Sequence, residues 1–224
     1  MYGGYGPRLF RLRRDRKNID QLENILSLLA DKPYSRRAVI QLFDANDIAA
    51  DHREIPCTCT LQFLVREGQL DLLACMRSND AYWGLPHDIF AFTMLQEFVA
   101  CRLGVKLGNY KHFVGSLHLY QKHQKGAQQF LAEGFQPRVS MPRMPAGDPS
   151  SAMAILLKEE AAIRKGDRVN AESLGLDAYW KDLIRLLQIY HCHTSKRRWR
   201  IAALKRSMSV TTYDTYIDRK AKKR

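Results

Sequence analysis

"TCTLQFLVREGQLDLLACMRS", Thr58 to Ser78, sets two apolar runs on either side of a Glu67-Gly68 pair. Short runs rich in Leu, Val and Phe around a glycine turn predict an antiparallel hairpin. A hairpin centred on Gly68 brings residues near 58 opposite residues near 78. Cys57, directly after Pro56 at the mouth of the first strand, then has Arg77 and Ser78 as neighbours. A thiol attacks as its thiolate, the form that nearby cations favour. A small buried thiol is the commoner use of a lone cysteine. The guanidinium expected across the hairpin turns the reading towards a nucleophile.

Working outward, "NIDQLENILSLLADKP" puts Ile19, Leu22, Ile25, Leu26 and Leu29 on one helical face and stops near Pro33. "AVIQLF" (Ala38–Phe43) reads as a strand. The apolar run from Ile89 to Leu103 is too long for a strand and lacks alternation, so a mostly buried helix is expected. "NYKHFVGSLHLY" (Asn109–Tyr120) reads as another strand, followed by a helix through Phe130. "QPRVSMPRMPAGDPSS" then holds four prolines and no periodicity. Helical patterns return at about 151–164, 176–192 and 196–208. The expectation is an α+β core over residues 1–135, a Pro-rich linker over 136–150 and a basic α-helical extension over 151–224.

With 46% hydrophobic and 10% aromatic residues in 224, the chain has enough apolar material for a packed core, which argues against disorder. The net charge of +13 is unevenly placed. "RLFRLRRDRK", "KRRWRIAALKR" and the terminal "DRKAKKR" carry many of the positives. Such segments suit anionic partners, either phosphorylated small molecules or nucleic acid through the C-terminal helices. No apolar run reaches the roughly 18 residues that would cross a membrane. The five cysteines are odd in number and no signal peptide is evident, so a reducing, cytoplasmic setting is expected. Zinc is disfavoured: neither Cys57-Thr58-Cys59 nor His191-Cys192-His193 has the usual ligand spacing.

"YGPRLF" (Tyr5–Phe10), "SRRAVIQLFD" (Ser35–Asp44), "IPCTCTLQF", "MRSNDAYWGLPHD" (Met76–Asp88) and "GSLHLY" stand in an order and spacing that resembles the thymidylate synthase family, which includes deoxycytidylate hydroxymethylases. The resemblance runs over roughly residues 4–135 and implies a mixed sheet with packed helices. It also implies one-carbon transfer from 5,10-methylenetetrahydrofolate to C5 of a pyrimidine nucleoside monophosphate, as a methyl or a hydroxymethyl group.

Residue by residue, Cys57 resembles the nucleophile that adds to C6 of the pyrimidine. Arg77 and Ser78 resemble the phosphate grip of the same subunit, and Arg36 and Arg37 the pair that reaches that phosphate from a second subunit. A shared site of this kind implies a homodimer. His118 and Tyr120 resemble the residues that hold the sugar 3′-hydroxyl. Asp80 and Gly84 resemble the folate side of the pocket, and Tyr5 the tyrosine that helps remove the C5 proton.

Asp88 departs from the thymidylate synthase pattern, where an asparagine reads uracil. A carboxyl group suits cytosine better: it can share a proton with N3 and accept from the 4-amino group. This resembles the cytidylate hydroxymethylases. The other reading is that Asp88 caps a helix beginning near Ile89. Thr58 stands where the family usually has histidine. The family's earlier segment, with a further phosphate arginine, a catalytic glutamate and tryptophans, finds no match here, nor does its C-terminal closing segment. The competing class is a catalytically incomplete nucleotide- or nucleic-acid-binding homologue.

Overall fold

The structure is a computed structural model that describes residues 3–135 and 138–222. The chain divides into two compact units, Met1–Gln136 and Pro137–Arg224. In the first, helix α1 (Tyr5–Phe10) leads into a small hairpin of β1 (Leu12–Arg14) and β2 (Lys17–Ile19). Helix α2 (Gln21–Asp31) follows, its first turn tied by the Asp20 carboxylate accepting from Glu23 N–H at 3.0 Å. Leu22, Ile25, Leu26 and Leu29 are buried as their spacing predicts. Ile19 is not part of that face: it ends β2, because the chain turns back at Asp15-Arg16 before α2 begins.

Strands β3 (Val39–Gln41), β4 (Thr58–Arg66), β5 (Gln69–Met76) and β7 (Lys106–Val114) form a four-stranded sheet in the order β3-β4-β5-β7. The expected hairpin is present. Glu67 and Gly68 both take positive φ, 51° and 71°, as the tightest hairpin turns require. Between β5 and β7, helix α3 (Gly84–Leu103) makes the crossover that a parallel pair needs. Leu61, Phe63, Val65, Leu70, Leu72, Ala74 and Met76 line one sheet face and are buried against α2 and α3. Gln96 of α3, also buried, donates to Leu70 O at 2.8 Å, where the β5–β7 register shifts and a carbonyl would otherwise be orphaned.

The expected single strand 109–120 is two strands. β7 ends at Val114; beyond Gly115, β8 (Leu117–His118) pairs in parallel with β6 (Asn79–Asp80). A Cβ at Gly115 would stand 3.1 Å from Arg77 O, so glycine lets the two segments pass closely. Helix α4 (Gln124–Ala132) closes the unit.

The described residues 138–148 carry no regular element, while Gln136 and Pro137 of the expected linker lie outside the described residues. The second unit contains α5 (Ser150–Lys165), α6 (Ala178–Thr194), α7 (Ile201–Arg206) and α8 (Asp214–Ala221). The pattern at 196–208 is a 3-10 turn at Arg198–Arg200 running into the shorter α7. α8 was not expected from sequence: Ile217 is its one buried residue. The buried Asp182 accepts from Ser209 N–H and from Arg185, tying α6 to the chain beyond α7. No helix among the described residues is long and apolar enough to cross a membrane.

Candidate active site

The odd-numbered residues Leu61, Phe63 and Val65 of β4 face the core. At Cys59 the β4–β5 register shifts: Thr60 pairs with Cys75, but Thr58 pairs with Met76. A bulge of this kind adds one residue and re-aims the side chains beyond it. Thr58 consequently turns inward and is fully buried, while Cys57, half-buried, sits at the strand's mouth.

β5 ends at Met76, so Arg77 and Ser78 lie just past the strand rather than in it. Arg77 N–H continues the ladder to Cys57 O at 2.9 Å. Its side chain folds back along the 55–57 segment, with Nε donating to Pro56 O at 3.0 Å and Nη2 lying 3.8 Å from Cys57 Sγ. The guanidinium and the thiol expected to meet across the hairpin do meet. Ser78 Oγ lies 3.2 Å from His118 Nδ1, and the His118 ring stands edge-on to Tyr120 at 4.8 Å. The parallel β6–β8 pair, Asp80 opposite His118, makes that juxtaposition.

Helix α3 begins at Gly84, so Asp88 lies inside it and does not cap it. Asp80 ties the preceding turn instead, accepting from Tyr82 N–H at 3.3 Å, Trp83 N–H at 2.9 Å and Gly84 N–H at 3.3 Å. Burial pushes the Asp80 carboxyl up, but those amides and His123 outweigh it and hold it below the ordinary value. Gly84 is held close: a Cβ there would stand 3.0 Å from Asn79 Nδ2.

Asp88 accepts from Asn79 Nδ2 at 2.7 Å. Burial pushes its carboxyl up, against the pull of Asn79, His112 and His87. On β7, Tyr110 Oη lies 2.6 Å from His112 Nδ1. Burial pushes the Tyr110 hydroxyl up, with Asp88 adding to it, and pushes His112 down against the pull of Asp88. Asn79 Oδ1 and His112 Nε2 are buried with no hydrogen-bond partner among the described residues. Buried polar atoms left in that state are the ones a water or a ligand satisfies.

Tyr5 opens α1 and stacks on Phe92 of α3 at 6.0 Å. Burial pushes its hydroxyl up, Thr58 beside it counteracts, and the nearby Asp88 and Cys57 push up again. The N-terminal block therefore reaches the same pocket as the hairpin and α3. Arg36 and Arg37 do not. Val39 pairs with Gln62 and Gln62 Nε2 donates to Arg36 O at 3.1 Å, so both arginines lie towards the other end of β4 from Cys57, exposed.

The family model for thymidylate synthase matches residues 2–157, most of the chain. The chain belongs to the thymidylate synthase family. The match extends past the resemblance at 4–135 into the first half of α5. Among curated proteins, the thymidylate synthase of Mycoplasma pneumoniae is 31% identical over 123 residues, which are 54% of this chain and 42% of that protein. The chain thus spans less than half the length of that relative.

Three residues of the pocket were not singled out from the sequence: Asn79, Tyr110 and His112. Tyr110 and His112 alternate with polar neighbours along β7, the one signal that both share a face.

Proposed function

We propose that the N-terminal unit transfers a one-carbon unit to C5 of a pyrimidine nucleoside monophosphate, with a cytosine nucleotide preferred. The observation that carries this reading is the 3.8 Å approach of Arg77 Nη2 to Cys57 Sγ, beside the Ser78–His118 pair. A guanidinium that binds a phosphate oxyanion there brings the nucleotide to the sulfur. Cys57 Sγ adds to C6 and places electron density on C5, which takes the one-carbon unit. Loss of the C5 proton, with Tyr5 assisting, accompanies breaking of the transferred carbon's bond to the donor nitrogen. A hydride from the donor, or water, then adds to the exocyclic methylene as the thiolate leaves C6 and the ring is restored. His118 and Tyr120 hold the sugar hydroxyl, and Arg77 and Ser78 hold the phosphate.

The donor fits as methylenetetrahydrofolate, which supplies carbon at the formaldehyde level and, for methylation, the hydride as well. Asp80 and Gly84 line its side of the pocket. The flat faces of Tyr82, Trp83 and His123, packed within 6.3 Å of one another, suit a bicyclic ring beside that carboxylate. The base preference rests on Asp88. A carboxyl raised by burial gives its proton to cytosine N3, or shares it there, and accepts from the 4-amino group with its other oxygen, whereas the ionised carboxylate would set a second acceptor against uracil O4.

A homodimer with shared phosphate sites accounts for the placing of Arg36 and Arg37 away from Cys57. The sheet face opposite α2 and α3 supports it: Val39, Leu64, Leu73, Cys75 and Phe113 lie there, with Phe113 62% exposed. Five free cysteines suit a reducing, cytoplasmic setting.

The test supplies methylenetetrahydrofolate with dCMP, CMP or dUMP tritiated at C5. Tritium release measures turnover, and mass spectrometry of the product tells methyl from hydroxymethyl. Release that disappears in Cys57→Ala is expected. Nucleotide binding without tritium release from any of the three would make the chain a binding homologue instead.

A further inference from the structure

The Pro137–Arg224 unit holds 19 of the 36 Lys and Arg residues but 9 of the 23 Asp and Glu, a net +10 against +3 for the rest of the chain. None of the residues assigned to the one-carbon chemistry lies in this unit. Part of this charge is neutralised internally. Arg185 pairs with Asp182 and Glu172, Lys205 with Asp214 and Asp218, and Arg164 with Glu160. Three of the other arginines are gathered. A small cleft between the end of α5 and the end of α6 is lined by Arg168, Arg197, Arg200 and His191, with Asp167 as its one carboxylate. Arg197 and Arg200 also act electrostatically on the Cys192 thiol at the cleft's base. In the chain, Trp199 falls between those two arginines, in the 3-10 turn at Arg198–Arg200, and is 80% exposed. An indole left in water inside a run of four cations contributes little to the packing of its own unit.

The geometry points to a single-stranded nucleic-acid site in the C-terminal unit. A backbone phosphate is held by Arg168, Arg197 and Arg200, and an adjacent base is stacked on Trp199. Guanidinium forks match phosphate oxygens, and three of them facing one carboxylate leave the cleft an excess of donors. An aromatic face beside a phosphate grip is the arrangement that binds unpaired strands, since stacking on Trp199 requires a base free of its own stack. Duplex DNA would use the charge but not the indole. The Arg198 Nε atom, buried without a partner among the described residues, lies in the same turn as Trp199.

The proposal is independent of the one-carbon reading, and its test is arranged to stay so. A fluorescent deoxythymidine 15-mer is titrated with the full chain by anisotropy, in saturating dCMP and dUMP so that the mononucleotide pocket is occupied. Binding should weaken with salt with a log–log slope of about −0.7 or steeper, from about −0.7 per phosphate neutralised on a single strand. Replacing Arg168, Arg197 and Arg200 together with Gln should flatten that slope by about 0.7. Trp199→Ala should weaken binding roughly 5- to 150-fold, the equivalent of ~1–3 kcal/mol for one stacked base, while Trp199→Phe keeps most of it. Quenching of indole fluorescence on binding should disappear in Trp199→Phe, a readout that a misfolded variant would not mimic. Equal affinity for duplex and single strand with no effect of Trp199→Ala would overturn the proposal. So would binding to anionic phospholipid vesicles but not to the oligonucleotide, or no binding even at low salt.

Discussion

Asn79 Nδ2 donates to Asp88 Oδ2 at 2.7 Å, joining the short strand β6 to the first turns of α3. That bond occupies one carboxylate oxygen and leaves Asp88 Oδ1 and the buried Asn79 Oδ1 for a ligand. An acceptor and a protonatable carboxyl, side by side, match a ring nitrogen next to an amine. They do not match an N–H next to a carbonyl unless the carboxyl keeps its proton.

Asp88→Asn is therefore expected to reverse base preference. In the wild type, dUMP brings O4 against a second acceptor, and one mismatched buried contact costs about 1–3 kcal/mol, or roughly 5- to 150-fold in affinity. The amide restores a donor for O4. Calorimetric titration of both nucleotides against both proteins measures the ratio. A wild type that prefers dUMP, with a ratio the substitution leaves unchanged, would show that Asp88 does not read the base.

The same carboxyl has a pH signature. Burial raises it from an ordinary value of 3.8, so the fold favours its protonated form. Stability from such a group is complete below the unfolded value and is lost as pH rises through the folded one. Thermal melts of wild type and Asp88→Asn, stepped upward from about pH 4, should show the wild type falling progressively relative to the variant. A gap that moves the other way would mean that hydrogen bonding from Asn79 outweighs burial.

Cys57 is expected to be the first of the five thiols alkylated. It is half-buried at a strand mouth with Arg77 3.8 Å away, whereas Cys192 is buried. Peptide mapping after brief iodoacetamide treatment reads this, and dCMP should protect Cys57 alone. Faster labelling of Cys59 or Cys75, unchanged by nucleotide, would count against a nucleophilic role.

A phosphate site shared between subunits makes a mixing prediction. Arg37→Ala chains and Cys57→Ala chains, each inactive alone, should regain turnover when mixed, because each mixed dimer assembles one intact site. No recovery at any ratio would place the two arginines in the site of their own chain or outside it.

In the second unit, the buried Asp182 accepts from Ser209 N–H at 3.0 Å and from the buried Arg185 Nη1 at 2.6 Å. Asp182→Ala leaves the buried Arg185 without that carboxylate, a change that costs about 3–5 kcal/mol where a buried pair is broken. Glu172, which also pairs with Arg185, should hold the loss to the lower end. Hydrogen exchange of α6 and of 207–209 localises the effect.

The hairpin and α2 were legible in the residues, because each depends on a period within one segment: alternation from Thr58 to Met76, and the 3.6-residue spacing of Leu22, Ile25, Leu26 and Leu29. The helix α3 was legible from the length of its apolar run, but the expectation that it is mostly buried was wrong: only Phe92, Gln96, Val99 and Ala100 are buried, and Ile89 and Phe90 are exposed. Cys57 and Arg77 were legible for the same reason, since a two-residue turn dictates which residues face each other. The β1–β2 hairpin was missed because its turn is Asp15-Arg16 rather than a glycine pair. α8 was missed because a helix with one buried residue carries almost no apolar period.

What only the tertiary structure decided is the polar floor of the pocket. Asn79, Asp88, Tyr110 and His112 come from β6, α3 and β7, and they meet because β5 and β7 pair in parallel across the α3 crossover. Parallel pairing leaves no local mark: its contacts join residues more than thirty apart, and nothing in either strand names the other. That Asp88 does not cap the helix was decided the same way. As a residue type it serves equally as a helix cap or a base reader. Only the start of α3 at Gly84, with Asp80 binding the amides of the turn, removes it from the helix end and turns it to Asn79.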